Sequence, residues 1–118
     1  MANILIADPS EALCSELTYK LAGHDIHICH TGVKAKELLR HIQPDVLIVN
    51  LCLPCGDGLS VIHHLSGKAS IIALTPVFNK ETFYTAASHG VDLLIPIPCS
   101  IEFLMDSINH RLNKIALF

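Results

Sequence analysis

Pro44-Asp45-Val46-Leu47-Ile48-Val49-Asn50 decides the fold of this chain, and Leu51-Cys52-Leu53-Pro54-Cys55-Gly56-Asp57-Gly58 follows it directly. Val46 to Val49 is an uninterrupted apolar run, too short for a helix, of the kind a parallel sheet buries on both faces. It stops on a polar amide. The proline, cysteines and glycines that come next read as a loop. In open α/β sheets, ligands sit beyond the carboxyl ends of the strands, so the Asn50 end of this run is where a site belongs.

Working outward, strand and helix alternate five times, with no repeat, linker or low-complexity segment. Asn3 to Asp8 is a first short strand, bounded by Pro9. Asp8-Pro9-Ser10-Glu11 reads as a helix start, with Asp8 as N-cap and Pro9 at the first helical position. Leu13, Leu17 and Leu21 form its stripe, and Gly23 ends it. His24 to His30 alternates weakly and is polar enough for a sheet edge. There His24 and His30 share a face and His27 points the other way. Thr31 to Ile42 is helical, with Val33, Leu38 and Leu39 among its apolar positions. Leu59 to Leu65 gives a short helix, Ser70 to Thr75 a strand, Glu81 to Ser88 a helix and Val91 to Ile95 the last strand. Ser100 caps the final helix, striped by Leu104, Ile108, Leu112 and Ile115. The expected architecture is an α/β, doubly wound, five-stranded parallel sheet with five helices.

At 118 residues the chain (1–118) is one domain. Hydrophobic residues make up 51% and charged residues 16%, yet no apolar stretch approaches the ~20 residues of a membrane helix. Met1-Ala2-Asn3-Ile4 carries no secretory pattern, so a cytoplasmic location is expected. A net charge of -3, with eight scattered Lys and Arg, argues against a nucleic-acid surface. Five cysteines in such a chain read as reduced thiols.

The Val46–Gly58 segment resembles the phosphoacceptor strand and loop of two-component receiver domains, the CheY-like family, and the resemblance extends in order and spacing over nearly the whole chain. It implies the flavodoxin-like strand order 2-1-3-4-5. In that family the strand ends in an aspartate, with a proline four residues on and Asp-Gly at seven and eight. Pro54, Asp57 and Gly58 are in register, but Asn50 holds the nucleophile's place. An amide cannot attack a phosphoryl donor as a carboxylate does. A pair of acids that helps hold Mg²⁺ falls on Asp8 and Pro9, so one acid remains. Mg²⁺ gains most from clustered carboxylates, so its binding is expected to be weak or absent, with Asp8 at most a weak ligand and no other cofactor. Thr75 matches the family's hydroxyl. Pro76 follows where a phosphate-facing N–H belongs, and proline has none. Ile97 stands at the phosphate-facing lysine's position, and Leu94 at that of the switch aromatic.

The resemblance therefore implies a pseudo-receiver: a regulatory module, not an enzyme, acting in phosphorelay signalling through protein contacts or dimerisation without phosphoryl transfer. Phe83, Tyr84, Leu94 and Ile97 fall where receivers form their output surface, the helix 4–strand 5–helix 5 face, and an apolar patch there would mark a partner site. The apolar end Ile115-Ala116-Leu117-Phe118 is expected to lead into an output domain of a longer regulator. Two alternatives stay open. Cys52-Leu53-Pro54-Cys55 is a C-x-x-C that could act as a thiol switch, although Gly56-Asp57-Gly58 keeps it in a loop rather than at a helix start. A small ligand could instead occupy the vacated pocket between Asp8, Asn50 and Thr75. Plainer roles compete: Asp8 as the helix cap, Thr75 bonding its own backbone, and the strand-two histidines as surface residues. A zinc site at His63-His64 would need further ligands, since the two point apart.

Overall fold

The computed structural model describes residues 1–116. Five parallel strands, β1 (Asn3–Ala7), β2 (Asp25–Cys29), β3 (Val46–Asn50), β4 (Ser70–Thr75) and β5 (Leu93–Pro96), form one sheet in the order β2-β1-β3-β4-β5. The helices are α1 (Glu11–Lys20), α2 (Gly32–Leu38), α3 (Gly58–Ile62), α4 (Lys80–Ser88) and α5 (Ile101–Ala116). This is the CheY-like, flavodoxin-type fold expected from the sequence, with the histidine-bearing β2 at an edge. The Ile115 and Ala116 side chains, and the whole of Leu117 and Phe118, lie outside the described residues.

Side-chain alternation along the central strands builds two cores. Ile4, Ile6, Val46, Ile48, Ile72 and Leu74 turn to one face and meet Leu17 of α1 and Leu104, Ile108 and Leu112 of α5. Leu5, Ala7, Leu47, Val49, Ile71 and Ala73 turn to the other, against Ala35 and Leu39 from the α2 region and Val61 and Ile62 of α3. All five β3 residues are buried, because each face of that strand has a helix layer on it.

Several element ends differ from the sequence reading. Asp8 is not the cap of α1: Ser10 is, its hydroxyl accepting from Leu13 N–H at 3.1 Å. Asp8 is drawn away because its carboxylate turns into the sheet end. Helix α2 stops at Leu38, and Val33 faces solvent while Ala35 and Leu39 take the buried positions. Helix α3 ends at Ile62 and does not run to Leu65; it begins with Asp57 capping Ser60 N–H at 2.8 Å. Helix α4 starts at Lys80 under an Asn79 cap, and β5 runs from Leu93 to Pro96. Ser100 does sit at the head of α5, accepting from Phe103 N–H at 3.1 Å.

Two glycines are set by close approach. A Cβ on Gly58 would lie 2.6 Å from the Asn50 carbonyl oxygen and 2.7 Å from Leu51 Cα, so α3 can start hard against the end of β3 only with glycine there. A Cβ on Gly32 would collide with the Gly56 carbonyl, where the α2 start meets the loop that follows β3.

Candidate functional site

The register of the sheet brings the sequence candidates to one edge. Asp8 follows β1, Asn50 ends β3, Thr75 ends β4, and Ile97 follows β5, all at carboxyl ends. Strand neighbours Val49 and Ala7 are paired, as are Asn50 and Leu74, so Asp8 and Asn50 meet across adjacent strands.

Asn50 and Asp8 are both buried. Asn50 Nδ2 donates to Asp8 Oδ2 at 3.0 Å, and Asn50 Oδ1 accepts from Cys52 N–H at 2.8 Å. The orientation of the amide follows from its partners, because a carboxylate can only accept from the NH₂ group and a backbone N–H can only donate to the oxygen. The other Asp8 oxygen, Oδ1, accepts from Ser10 N–H at 2.8 Å. Asn50 thus bridges the two loops leaving β1 and β3. An aspartate could not make that bridge, having no donor to offer Asp8.

Thr75 is buried but faces its own chain. Its hydroxyl donates to the Val77 carbonyl at 2.9 Å and accepts from Val77 N–H at 3.1 Å, closing a turn around Pro76. Of the three N–H groups just described, those of Ser10, Cys52 and Val77, each already has a side-chain acceptor. Pro9 and Pro76 contribute none.

The pocket expected between Asp8, Asn50 and Thr75 is in fact two hollows. Asp8, Pro9, Asn50 and Ile97 line a cavity of about 480 Å³ between the β1–α1 and β5–α5 connections. Thr75 lines a separate groove of about 220 Å³ with Cys52, Val77 and residues of α4. Thr75 parts company with Asp8 because the Pro76 turn points its hydroxyl toward Val77. The cavity also takes in Leu13 and Leu104, expected only as helix-stripe residues, Cys99, and Glu16, which the sequence reading did not name. Glu16 lies three residues beyond Leu13 on α1, a spacing that puts both on one helix face and was the available signal.

The four residues of the expected partner surface divide. Phe83 and Tyr84 are exposed on α4, 50% and 61%, and pack edge to face with ring centroids 5.7 Å apart. Leu94 and Ile97 are half-buried and pack against opposite cores. Val77 and Phe78, just before α4, are exposed as well.

Cys52 and Cys55 are exposed in the turn after β3, where Cys55 takes a left-handed φ of 54°. The N-terminus of α3, which could favour a thiolate, is occupied by the Asp57 carboxylate. Cys14 and Cys29 are buried. Burial pushes the Cys14 thiol up to about 11, and the Asp8 and Cys29 charges act in the same sense. Burial likewise raises Cys29 to about 11, with Lys34 opposing.

Several of the histidines have local partners. His24 Nδ1 accepts from Ala2 N–H at 2.9 Å, and His30 Nδ1 donates to the Asp8 carbonyl at 2.8 Å. His63 stacks edge-on to His89 at 4.9 Å, while His64 Nδ1 bonds the Ser60 carbonyl at 3.0 Å. Among the described residues no group of three or more His, Cys, Asp or Glu is placed to hold a metal ion, and no helix is long and apolar enough to cross a membrane.

No protein-family model matches the chain. It is similar to response regulator MprA of Mycobacterium tuberculosis, 28% identical over 117 residues, which is 95% of this chain and 51% of that protein. The Mycobacterium ulcerans MprA is 27% identical over 120 residues, covering 98% of this chain and 52% of the relative. The chain therefore spans about half the length of the curated relatives it matches. Among solved structures, the receiver domain of a Francisella response regulator superposes with a TM-score of 0.83 at 20% identity, covering 98% of this chain and 99% of that one. A two-component response regulator from Clostridium difficile gives 0.84 at 19%, with 98% of each chain covered. The structural likenesses establish the fold. In sequence, the chain is similar over nearly its whole length to one half of these response regulators.

Proposed function

We propose that this domain is a pseudo-receiver: a cytoplasmic regulatory module that works through protein contacts and carries out no phosphoryl transfer. The observation that carries the reading is the Asn50 bridge, in which the residue at the acceptor position donates to Asp8 and accepts from Cys52 N–H. A phosphoacceptor must present a free carboxylate to the donor, and a metal site must present open oxygen ligands. Asn50 presents neither. Ile97, at the lysine position, adds an apolar wall, and Pro76 removes a donor N–H. Asp8 keeps at most weak Mg²⁺ affinity, and no cofactor is required.

The contact surface in this reading centres on the exposed Phe83–Tyr84 pair of α4, with the half-buried Leu94 and Ile97 as further candidates on and after β5. Exposed aromatic pairs are characteristic anchors of interfaces. The matched relatives are about twice as long, which fits this domain being the N-terminal part of a longer regulator with an output domain as its partner.

Light scattering over a concentration series tests the reading, run under reducing conditions with and without acetyl phosphate and Mg²⁺. The expected result is an association state indifferent to the phosphodonor and weakened by the double variant Phe83→Ser/Tyr84→Ser. Association that appears only with the donor overturns it. Association that appears only without reductant would transfer the role to Cys52 and Cys55, both exposed in one turn.

A further inference from the structure

The cavity over Asp8 and Asn50 has a size and a lining that the protein-contact reading does not use. At about 480 Å³ it falls in the range of small-molecule sites, about 300–1,000 Å³, and most of its wall is apolar, with Leu13, Ile97, Ile101 and Leu104 prominent. Its charged lining residues are two carboxylates, Asp8 and Glu16, and among the described lining residues there is no lysine, arginine or histidine. Asp8 is only 2% exposed, and its two oxygens meet neutral donors, Ser10 N–H and the Asn50 amide. No ion pair to Asp8 occurs among the described residues. Buried charges are ordinarily paired with an opposite charge or coordinate a metal. Here a nearly dry carboxylate lies at the inner end of an open apolar hollow, with a second carboxylate on α1 at its side.

From this we infer that the cavity is a binding site for a small apolar molecule carrying a cationic amine. The hydrocarbon part would cover Leu13, Ile97 and Leu104, and the ammonium group would take the remaining acceptor capacity of Asp8, with Glu16 adding attraction. Each carboxylate oxygen can accept more than one hydrogen bond, so the amine need not displace Asn50. An anion of the same shape meets two like charges in a region of reduced dielectric and is rejected. A neutral analogue keeps the apolar contacts and loses the charge-assisted bond. The site is independent of whether α4 binds a partner.

Titration of the ¹⁵N-labelled chain with three isosteric probes, benzylamine, benzyl alcohol and benzoate, tests the inference by amide shift changes. Benzylamine should saturate shifts at Ser10, Leu13 and Ile101, binding about ten-fold tighter than benzyl alcohol, as one charge-assisted hydrogen bond implies. Benzoate should produce no saturable change. Glu16→Gln, an exposed and structurally mild change, should loosen benzylamine by about two- to five-fold, the size of an exposed ion pair. Ile97→Lys places a competing cation in the hollow and should abolish binding, with unchanged shifts elsewhere showing that the variant is folded. Equal binding of all three probes would overturn the inference. So would shifts confined to another surface, or a folded Ile97→Lys variant that binds benzylamine like the parent.

Discussion

An amide and a carboxylate have nearly the same shape, and at position 50 they differ by one donor and one unit of charge. The Asn50 bridge depends on that difference, since Nδ2 donates to Asp8 while Oδ1 takes Cys52 N–H. Asn50→Ala removes one donor from the buried Asp8 carboxylate and the acceptor of the partly buried Cys52 N–H, and should lower stability by about 1–3 kcal/mol in urea unfolding. Asn50→Asp keeps the shape but sets a carboxylate against Asp8 where a 3.0 Å hydrogen bond now lies. It too should be less stable than the parent at neutral pH. We expect it to stay unphosphorylated, because Pro9, Pro76 and Ile97 remain; efficient labelling of this single variant would show that those three positions matter little. The buried thiols give a pH dependence with a definite sign. Cys14 and Cys29 are raised from 9.0 to about 11 by burial, so the folded state holds their protons longer than the unfolded chain does. Their contribution is fully present below pH 9.0 and is lost as pH rises toward about 11. Urea midpoints measured from pH 8 upward should fall, and a Cys14→Ala/Cys29→Ala variant should fall less steeply.

At the scale of elements, the strands were the most legible part of the sequence. Val46–Asn50 and Ser70–Thr75 are continuous apolar runs buried on both faces, and the local pattern alone defines them. Helix starts were less so. Asp8-Pro9 carries a cap signal as good as that of Ser10, and only the tertiary pairing of Asp8 with Asn50 decides between them. The separation of Thr75 from the Asp8–Asn50 cavity was likewise hidden, since it depends on a two-residue turn around Pro76. Val33 reads as apolar stripe but has no sheet surface above it and faces solvent. The start of α3 is tied to the site by sterics. Gly58→Ala would put a methyl 2.6 Å from the Asn50 carbonyl. Such overpacking should cost about 1–3 kcal/mol and shift the Asn50 and Cys52 amide resonances, whereas Gly67→Ala, strained by its own φ of +82° but with nothing near its Cβ position, should leave them in place.

Across the whole molecule, the CheY-like fold carries Asn50, Pro9, Pro76 and Ile97 at or just beyond its carboxyl strand ends, and the proposed function rests on the chemistry of those residues. Fold does not dictate function, and here the residues at the carboxyl edge decide it. Two regions are offered for recognition, the exposed α4 aromatics and the acid-floored apolar cavity; Phe83 and Tyr84 do not line the cavity, so variants of that pair test the first without touching the second. The sequence alone pointed to the first through Phe83 and Tyr84. It pointed only to the centre of the second, because the walls come from α1 and the start of α5, far apart in the chain. The most direct test of the central claim is the intact mass of the chain after incubation with acetyl phosphate and Mg²⁺. An unchanged mass is the predicted result; an added phosphoryl group that is lost in base would contradict it.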